Sequence, residues 1–316
     1  MRFLVLLLTY ILQRKFNLTI SRQHDIWVSR YLNFFEKQMP VVRQNSSLYL
    51  AIGIVLPALA LSILLFIVDD VLFGVFTLFI HFVMLFLCLG CGFLKGAFDA
   101  YLQCWLEGRY EAALETLVAA DIHIHDAEGL SQAEIHHAVC SAFLYQTFQR
   151  YFMVIFWFMV AGPVGALVAR LAHISAVVPS VYRPQRVSFL SHLLEWIPAR
   201  PLSLTFAISA RFSGSLKAGL SRLADPYADA LDVLEVNAEA ALGSEKYSYN
   251  PPSPSQTQKT YSQSNTLGAG EYADLSKPPG ANKNAVQLMG MRTLLNRSLV
   301  IWFAALALIA LIEWLL

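Results

Sequence analysis

The sequence predicts an all-α fold, a polytopic membrane helical bundle with short cytoplasmic helices. Three observations carry that expectation. Hydrophobic residues make up 56% of the 316-residue chain and charged residues only 14%, against roughly 25% charged in ordinary soluble domains. The apolar excess is gathered into uncharged runs of about bilayer length. The polar stretches between them carry helical spacing and helix-start signals. Together these exclude a soluble enzyme, a disordered chain and a secreted disulfide scaffold. The net charge of +1 gives no pull toward nucleic acid, and four cysteines are too few for a disulfide framework.

Four runs are span candidates. Residues 48–68 hold no charge. Residues 71–94 hold only His81 and two thiols as ionisable groups. Residues 151–169 are uncharged, and residues 298–316 carry only Glu313. About 20 apolar residues cross a hydrocarbon core about 30 Å thick, and backbone amides there must be satisfied within a helix. Residues 3–12 are apolar but short, closed by Gln13-Arg14-Lys15. With no small-residue cleavage site they read as a retained helix, packed on the bundle or lying partly in the membrane.

Charge sets the topology. Residues 13–47 hold six Lys/Arg against two acids, whereas only Asp69-Asp70 separates the first two spans. Basic loops stay cytoplasmic, so the first two spans form a hairpin entered from the cytoplasm, and residues 95–150 follow on that side. The third run allows two readings. A simple crossing makes residues 173–297 periplasmic, although they hold twelve Lys/Arg. A re-entrant form, broken at Gly162-Pro163 and Gly165, returns the chain to the cytoplasm, because proline interrupts helical hydrogen bonding.

The resulting organisation is an N-terminal helix and basic segment (1–47), a transmembrane hairpin (48–94), a cytoplasmic helical module (95–150) and a third membrane segment (151–172). An amphipathic helical segment (173–243), a flexible linker (244–290) and a C-terminal transmembrane helix (298–316) follow. In the module, residues 108–120 have helical spacing with Leu114, Leu117 and Val118 on one face. Ser131 to Glu134 form a capping box for the next helix. Residues 187–197 predict an amphipathic helix ending before Pro198, and residues 202–220 a second one with Arg211, Lys217 and Arg222 toward phosphate headgroups. Residues 244–284, rich in Pro, Ser and Gln, lack the aliphatic content for a core.

Motifs that could carry chemistry read as structure. Cys88 and Cys91 form a CxxC inside an apolar helix, where cysteine is usually packing. His123, His125, His136 and His137 match no standard metal spacing, and adjacent helical histidines point about 100° apart. Gly90, Gly92, Lys95 and Gly96 lack the order of a phosphate loop. Gly162, Gly165 and Ala166 suit close helix packing. No catalytic group, metal or cofactor is expected.

The order of several blocks adds more. Gln13 to Leu18, Phe34-Phe35, Gly96 to Leu102, Ile155-Phe156-Trp157, Gly162 to Leu167, and Leu194-Glu195-Trp196-Ile197-Pro198-Ala199-Arg200 together resemble the AmpE family. Those proteins are inner-membrane regulators associated with β-lactamase induction in Gram-negative bacteria, and divergent relatives of the CobD/CbiB cobalamin-biosynthesis family. The resemblance covers about residues 1–220. It implies a multi-pass inner-membrane protein whose partners are the lipid bilayer and either the cytosolic muropeptide amidase pathway or a cell-wall fragment. A membrane ligase like the cobalamin synthases is the alternative. Where the synthases carry a Glu-Asn pair followed by Asp, this chain aligns Leu144, Tyr145 and Phe148, and where they carry paired acids and an Asn it reads Ser191, His192 and Glu195, so the resemblance implies a retained scaffold without the acid cluster. Gly162, Pro163, Gly165, Pro198, Ala199 and Arg200 are its structural motif. Arg183, Arg186 and Arg200 are the candidate anion contacts, since guanidinium pairs with phosphate or carboxylate.

Overall fold

The computed structural model describes residues 2–16, 28, 30–34, 37–38, 45–68, 74–89, 91–119, 132–177, 185–209, 228–242 and 281–315. Among them the ordered elements are helices, with no strand. Three helices are long and apolar enough to cross a membrane, namely Ser47–Val68, Glu134–Ala176 and Gln287–Glu313; Arg2–Gln13 and Val75–Cys88 are shorter apolar helices.

The first helix, α1 (Arg2–Phe16), buries Val5, Leu6, Thr9 and Gln13 and exposes Leu4, Leu8 and Ile11. That spacing divides it into a bundle-facing and an outward apolar stripe. α2 (Ser46–Leu50) runs through a π turn, Ala51–Val55, into α3 (Leu56–Val68). Pro57 has no N–H for the carbonyl four residues back, and the wider turn lies just before it. Tyr31 Oη donates to the Ile52 carbonyl in that turn at 2.7 Å.

The run 71–94 does not form one span. α4 (Val75–Cys88) stops at Leu89, which is extended at φ −88° and ψ 105°, and α5 (Cys91–Leu106) begins anew. Fourteen residues reach about 21 Å, less than a bilayer core. The buried Gln13 amide closes the exposed end by donating to Phe86 O at 3.0 Å and Leu89 O at 2.7 Å. Cys88 and Cys91 therefore sit on different helices, not within one. α6 (Tyr110–Ala119) follows Gly108, whose φ of 76° makes the turn. Ala113 and Leu117 are its buried face, and Val118 points outward, against expectation.

α7 (Gln132–Thr147) continues through a π turn, Phe148–Phe152, into α8 (Met153–Val177). A straight helix would separate Tyr145 from His173 by about 42 Å. Their rings lie 6.0 Å apart. The chain reverses at Gly162, where φ 69° and ψ −158° break the helix ahead of Pro163. The long apolar stretch is thus a helical hairpin and not a single rod. The reversal is tight. A Cβ on Gly165 would lie 2.6 Å from the Trp157 carbonyl oxygen. Arg2 Nη1 donates to Met159 O at 3.3 Å, so the start of α1 stands at the hairpin tip.

α9 (Gln185–Ser209) runs unbroken through Pro198 and Pro201, where two helices were expected. Pro198 cannot serve the Leu194 carbonyl, and the Trp157 indole N–H takes it instead at 2.9 Å. α10 (Ala230–Leu242) buries Ala230, Val233, Leu234, Asn237 and Ala238 against α9 and α7. α11 (Ala281–Leu315) starts well before the expected 298. Its first part pairs Arg292 with Asp99 of α5 at 2.5 Å. Its second part sets Trp302 against Phe152 and Phe303 against Tyr10, with ring centroids 5.2 and 4.9 Å apart. The hairpin base, α5, α10 and the start of α11 therefore share one end of the bundle. The acidic turn at Asp69-Asp70, the loop with His123 and His125, the cap at Ser131, residues 210–227 and linker residues 244–280 lie outside the described residues.

Candidate functional site

A buried carboxylate, Glu195, lies on α9 where the two hairpin arms meet. α9 is not among the helices apolar enough to cross a membrane. Ser191, one turn earlier, donates to Glu195 Oε1 at 2.9 Å. Tyr145 Oη on α7 donates to Oε2 at 3.0 Å. His173 Nδ1 on α8 stands 3.4 Å from Oε1. One carboxylate therefore ties together three helices that are 22 and 50 residues apart in sequence.

Burial pushes the Glu195 carboxyl up. The hydrogen bond and charge of His173, with the Ser191 hydroxyl, outweigh it and hold the group below its ordinary value of 4.5. The ionised form is thus built in, as expected for a carboxylate accepting several donors. Gln149 is fully buried beside it; its amide lies within reach of Tyr145 and Glu195 but meets no partner at hydrogen-bond geometry. His192, next to Ser191, pairs with Asp229 at 3.3 Å, which anchors the start of α10. Two buried arginines flank the cluster in sequence, Arg150 and Arg170, and Arg150 Nε donates to Gln146 at 3.1 Å.

Of the three expected anion contacts, Arg200 has a described side chain. Arg183 and the side chain of Arg186 lie outside the described residues. Arg200 lies over the Trp196 ring, its Cζ 3.8 Å from the centroid, and Nη1 donates to Trp196 O at 3.0 Å. Ala199 is fully buried in the proline-bearing stretch. Leu144 and Phe148 are fully buried core. Tyr145, Ser191 and Glu195, three of the positions singled out in the sequence, do come together. Spacing alone could not find His173 and Gln149, because their roles depend on the reversal at Gly162.

His136 and His137 diverge as helical geometry requires. His136 is buried against Trp105 and Cys140, whereas His137 reaches Glu239 of α10 at 3.3 Å. Among the described residues no group of three His, Cys, Asp or Glu side chains converges.

Fold and site define a multi-pass α-helical membrane protein in which one buried carboxylate joins a hairpin to its neighbouring helix. The chain belongs to the family described as regulatory signalling modulator protein AmpE, whose model matches residues 1–258. It is similar to a protein of Shigella flexneri named Protein AmpE, with 25% identity over 253 residues, covering 76% of this chain and 86% of that protein. No solved structure matches. The family description makes this chain a regulatory protein and not a synthase.

Proposed function

We propose that this chain acts in the bacterial inner membrane as a signalling protein that modulates β-lactamase induction, in the pathway of the cytosolic muropeptide amidase and with a cell-wall fragment as the signal. Family membership supports the regulatory part. One structural observation carries the mechanism: Glu195 holds both hairpin arms and α9 through one buried point. A ligand that favours the cluster either held or released would shift the hairpin between two arrangements, which is how a local contact becomes a signal. In this reading residues 173–297 face the cytoplasm. The hairpin returns the chain to the end where Arg292 meets Asp99, and the basic excess then obeys the charge rule. In this reading Arg183, Arg186 and Arg200 remain the anion contacts, because guanidinium pairs with phosphate or carboxylate.

Deletion in a host with an inducible β-lactamase should change both the induction response and the muropeptide pools. If neither moves, the proposed pathway is wrong. A reporter fused at residue 240 should give a cytoplasmic signal, and a periplasmic one would overturn the topology.

A further inference from the structure

α10 lies across α7 and α9, the two helices that bring Tyr145 and Glu195 together. Its apolar hold is modest. Val233 and Leu234 are the large aliphatic side chains of its buried face, beside Ala230, Asn237 and Ala238. Asn237 turns its amide back to Val233 O of the same helix at 2.7 Å. What fixes the two ends is polar. Asp229, just ahead of the helix, stands 3.3 Å from His192 Nδ1 of α9. Glu239, near the far end, stands 3.3 Å from His137 Nε2 of α7. The two carboxylates are about ten residues and so about 15 Å apart along a helix. Each end is thus clasped to a different neighbour, and both clasps use histidine. The first adjoins the buried cluster. His192 follows Ser191, which donates to Glu195, and Asp229 lies within electrostatic reach of Tyr145, the other hydroxyl donor to that carboxylate.

We propose that α10 is a releasable cover of the Glu195 cluster, clasped at both ends by histidine–carboxylate pairs and loosened as those histidines lose their protons. Histidine is the side chain whose charge ordinarily changes between about pH 5 and 8, where carboxylates are already ionised. An imidazolium gains its carboxylate only when α10 is docked, so protonation and docking favour each other. Below the imidazole range both clasps are ion pairs; as pH rises through it they become neutral contacts and docking weakens. Glu235 of α10, which also faces His137, acts in the same direction. Burial, the largest influence, holds its carboxyl above the ordinary 4.5 against the Ser141 hydroxyl and the His137 charge, so its ionisation also favours release. Glu134 precedes His137 by one turn on α7 and, as an acid, favours the imidazolium. Asp232 of α10 is exposed. Asp99 of α5 and Arg292 of α11 are paired with each other. Glu195, one turn beyond His192, is held by Ser191, Tyr145 and His173.

The test is amide hydrogen exchange of the full chain in mild detergent, read by mass spectrometry over residues 230–242 at about pH 6 and about pH 8 and corrected for the intrinsic pH dependence of exchange. Part-exposed pairs are weak, roughly a factor of three each, so protection of α10 should fall about ten-fold between the two conditions, while residues 187–206 of α9 keep theirs. The double variant His137→Gln, His192→Gln should show the lower protection already at the lower pH and lose most of the pH response. Equal protection of α10 in the parent at both pH values, an equal fall in α9, or a double variant with the parent's full response overturns the proposal. The parent comparison needs no variant, so it decides even if the substitutions disturb folding. The consequence for signalling rests on Glu195 being the ligand-sensitive point. Exchange reads α10 alone, so a flat response refutes the cover and leaves that reading standing, whereas an unchanged induction response on deletion does the reverse.

Discussion

Replacing Gly162 by alanine tests the hairpin directly, because the two arrangements of the third apolar run predict opposite signs. In a continuous helix, glycine is worse than alanine by about 1 kcal/mol, so the substitution would stabilise. At the observed φ 69° and ψ −158° the backbone lies in a region used almost solely by glycine, where another residue costs about 1–3 kcal/mol. Sterics add little. The nearest atom to an added Cβ is the Arg2 guanidinium carbon at 3.7 Å, an ordinary contact. The expected loss is therefore about 1–3 kcal/mol, a factor of roughly 5 to 150 in the folding equilibrium. Gly96→Ala is the internal reference. It lies within α5 with open space around its Cβ and should stabilise by up to about 1 kcal/mol. Denaturant titration of the protein in mild detergent, followed by far-ultraviolet circular dichroism, reads both variants. If Gly162→Ala is as stable as Gly96→Ala, the reversal at Gly162 is wrong.

Gly165→Ala should destabilise too, since its Cβ would sit 2.6 Å from the Trp157 carbonyl oxygen and backbone must yield; the same titration compares it with Gly162→Ala. Trp157→Phe leaves the Leu194 carbonyl without its indole donor and should cost about 1–3 kcal/mol, whereas Pro198→Ala in that background should recover part of the loss by restoring the backbone donor. Glu195 gives a pH signature. Its carboxyl is held below 4.5 in the folded chain, so its contribution is present above the unfolded value and is lost as pH falls through the folded one. Glu195→Gln should be less stable near neutrality and should lack that part of the acid loss, and a parallel acid limb in both proteins contradicts the assignment. Arg292→Ala should change stability by no more than about 1 kcal/mol, because its partner Asp99 is well exposed and such pairs are weak.

The sequence revealed the material of the fold more readily than its path. Uncharged length marks α2 to α3 and α11 as spans, because bilayer thickness is a fixed ruler. Gly162-Pro163 marks a break, yet composition cannot say whether a helix bends or turns back. That depends on Tyr145 and His173 finding one carboxylate. Pro198 misled for a related reason. Proline ends helices when the orphaned carbonyl has no other donor, and here Trp157 provides one from another helix. The break at Leu89 was hidden because Gln13, 76 residues away, closes that end. The divergence of His136 and His137 was legible, since it follows from helical rotation alone. These three misses each involve a polar partner supplied across the bundle, which no local window can contain.

The length of α11 has a mechanical consequence. Its 35 residues extend about 52 Å, with aromatic anchors to α1 and the hairpin arm along its outer portion and the Asp99 tether near its inner end. Pivoting such a stiff shaft by about 10° about one extremity would carry the other sideways by roughly 9 Å. A small lean among lipids would then arrive at α5 and α10 as a displacement wider than a hydrogen bond can span.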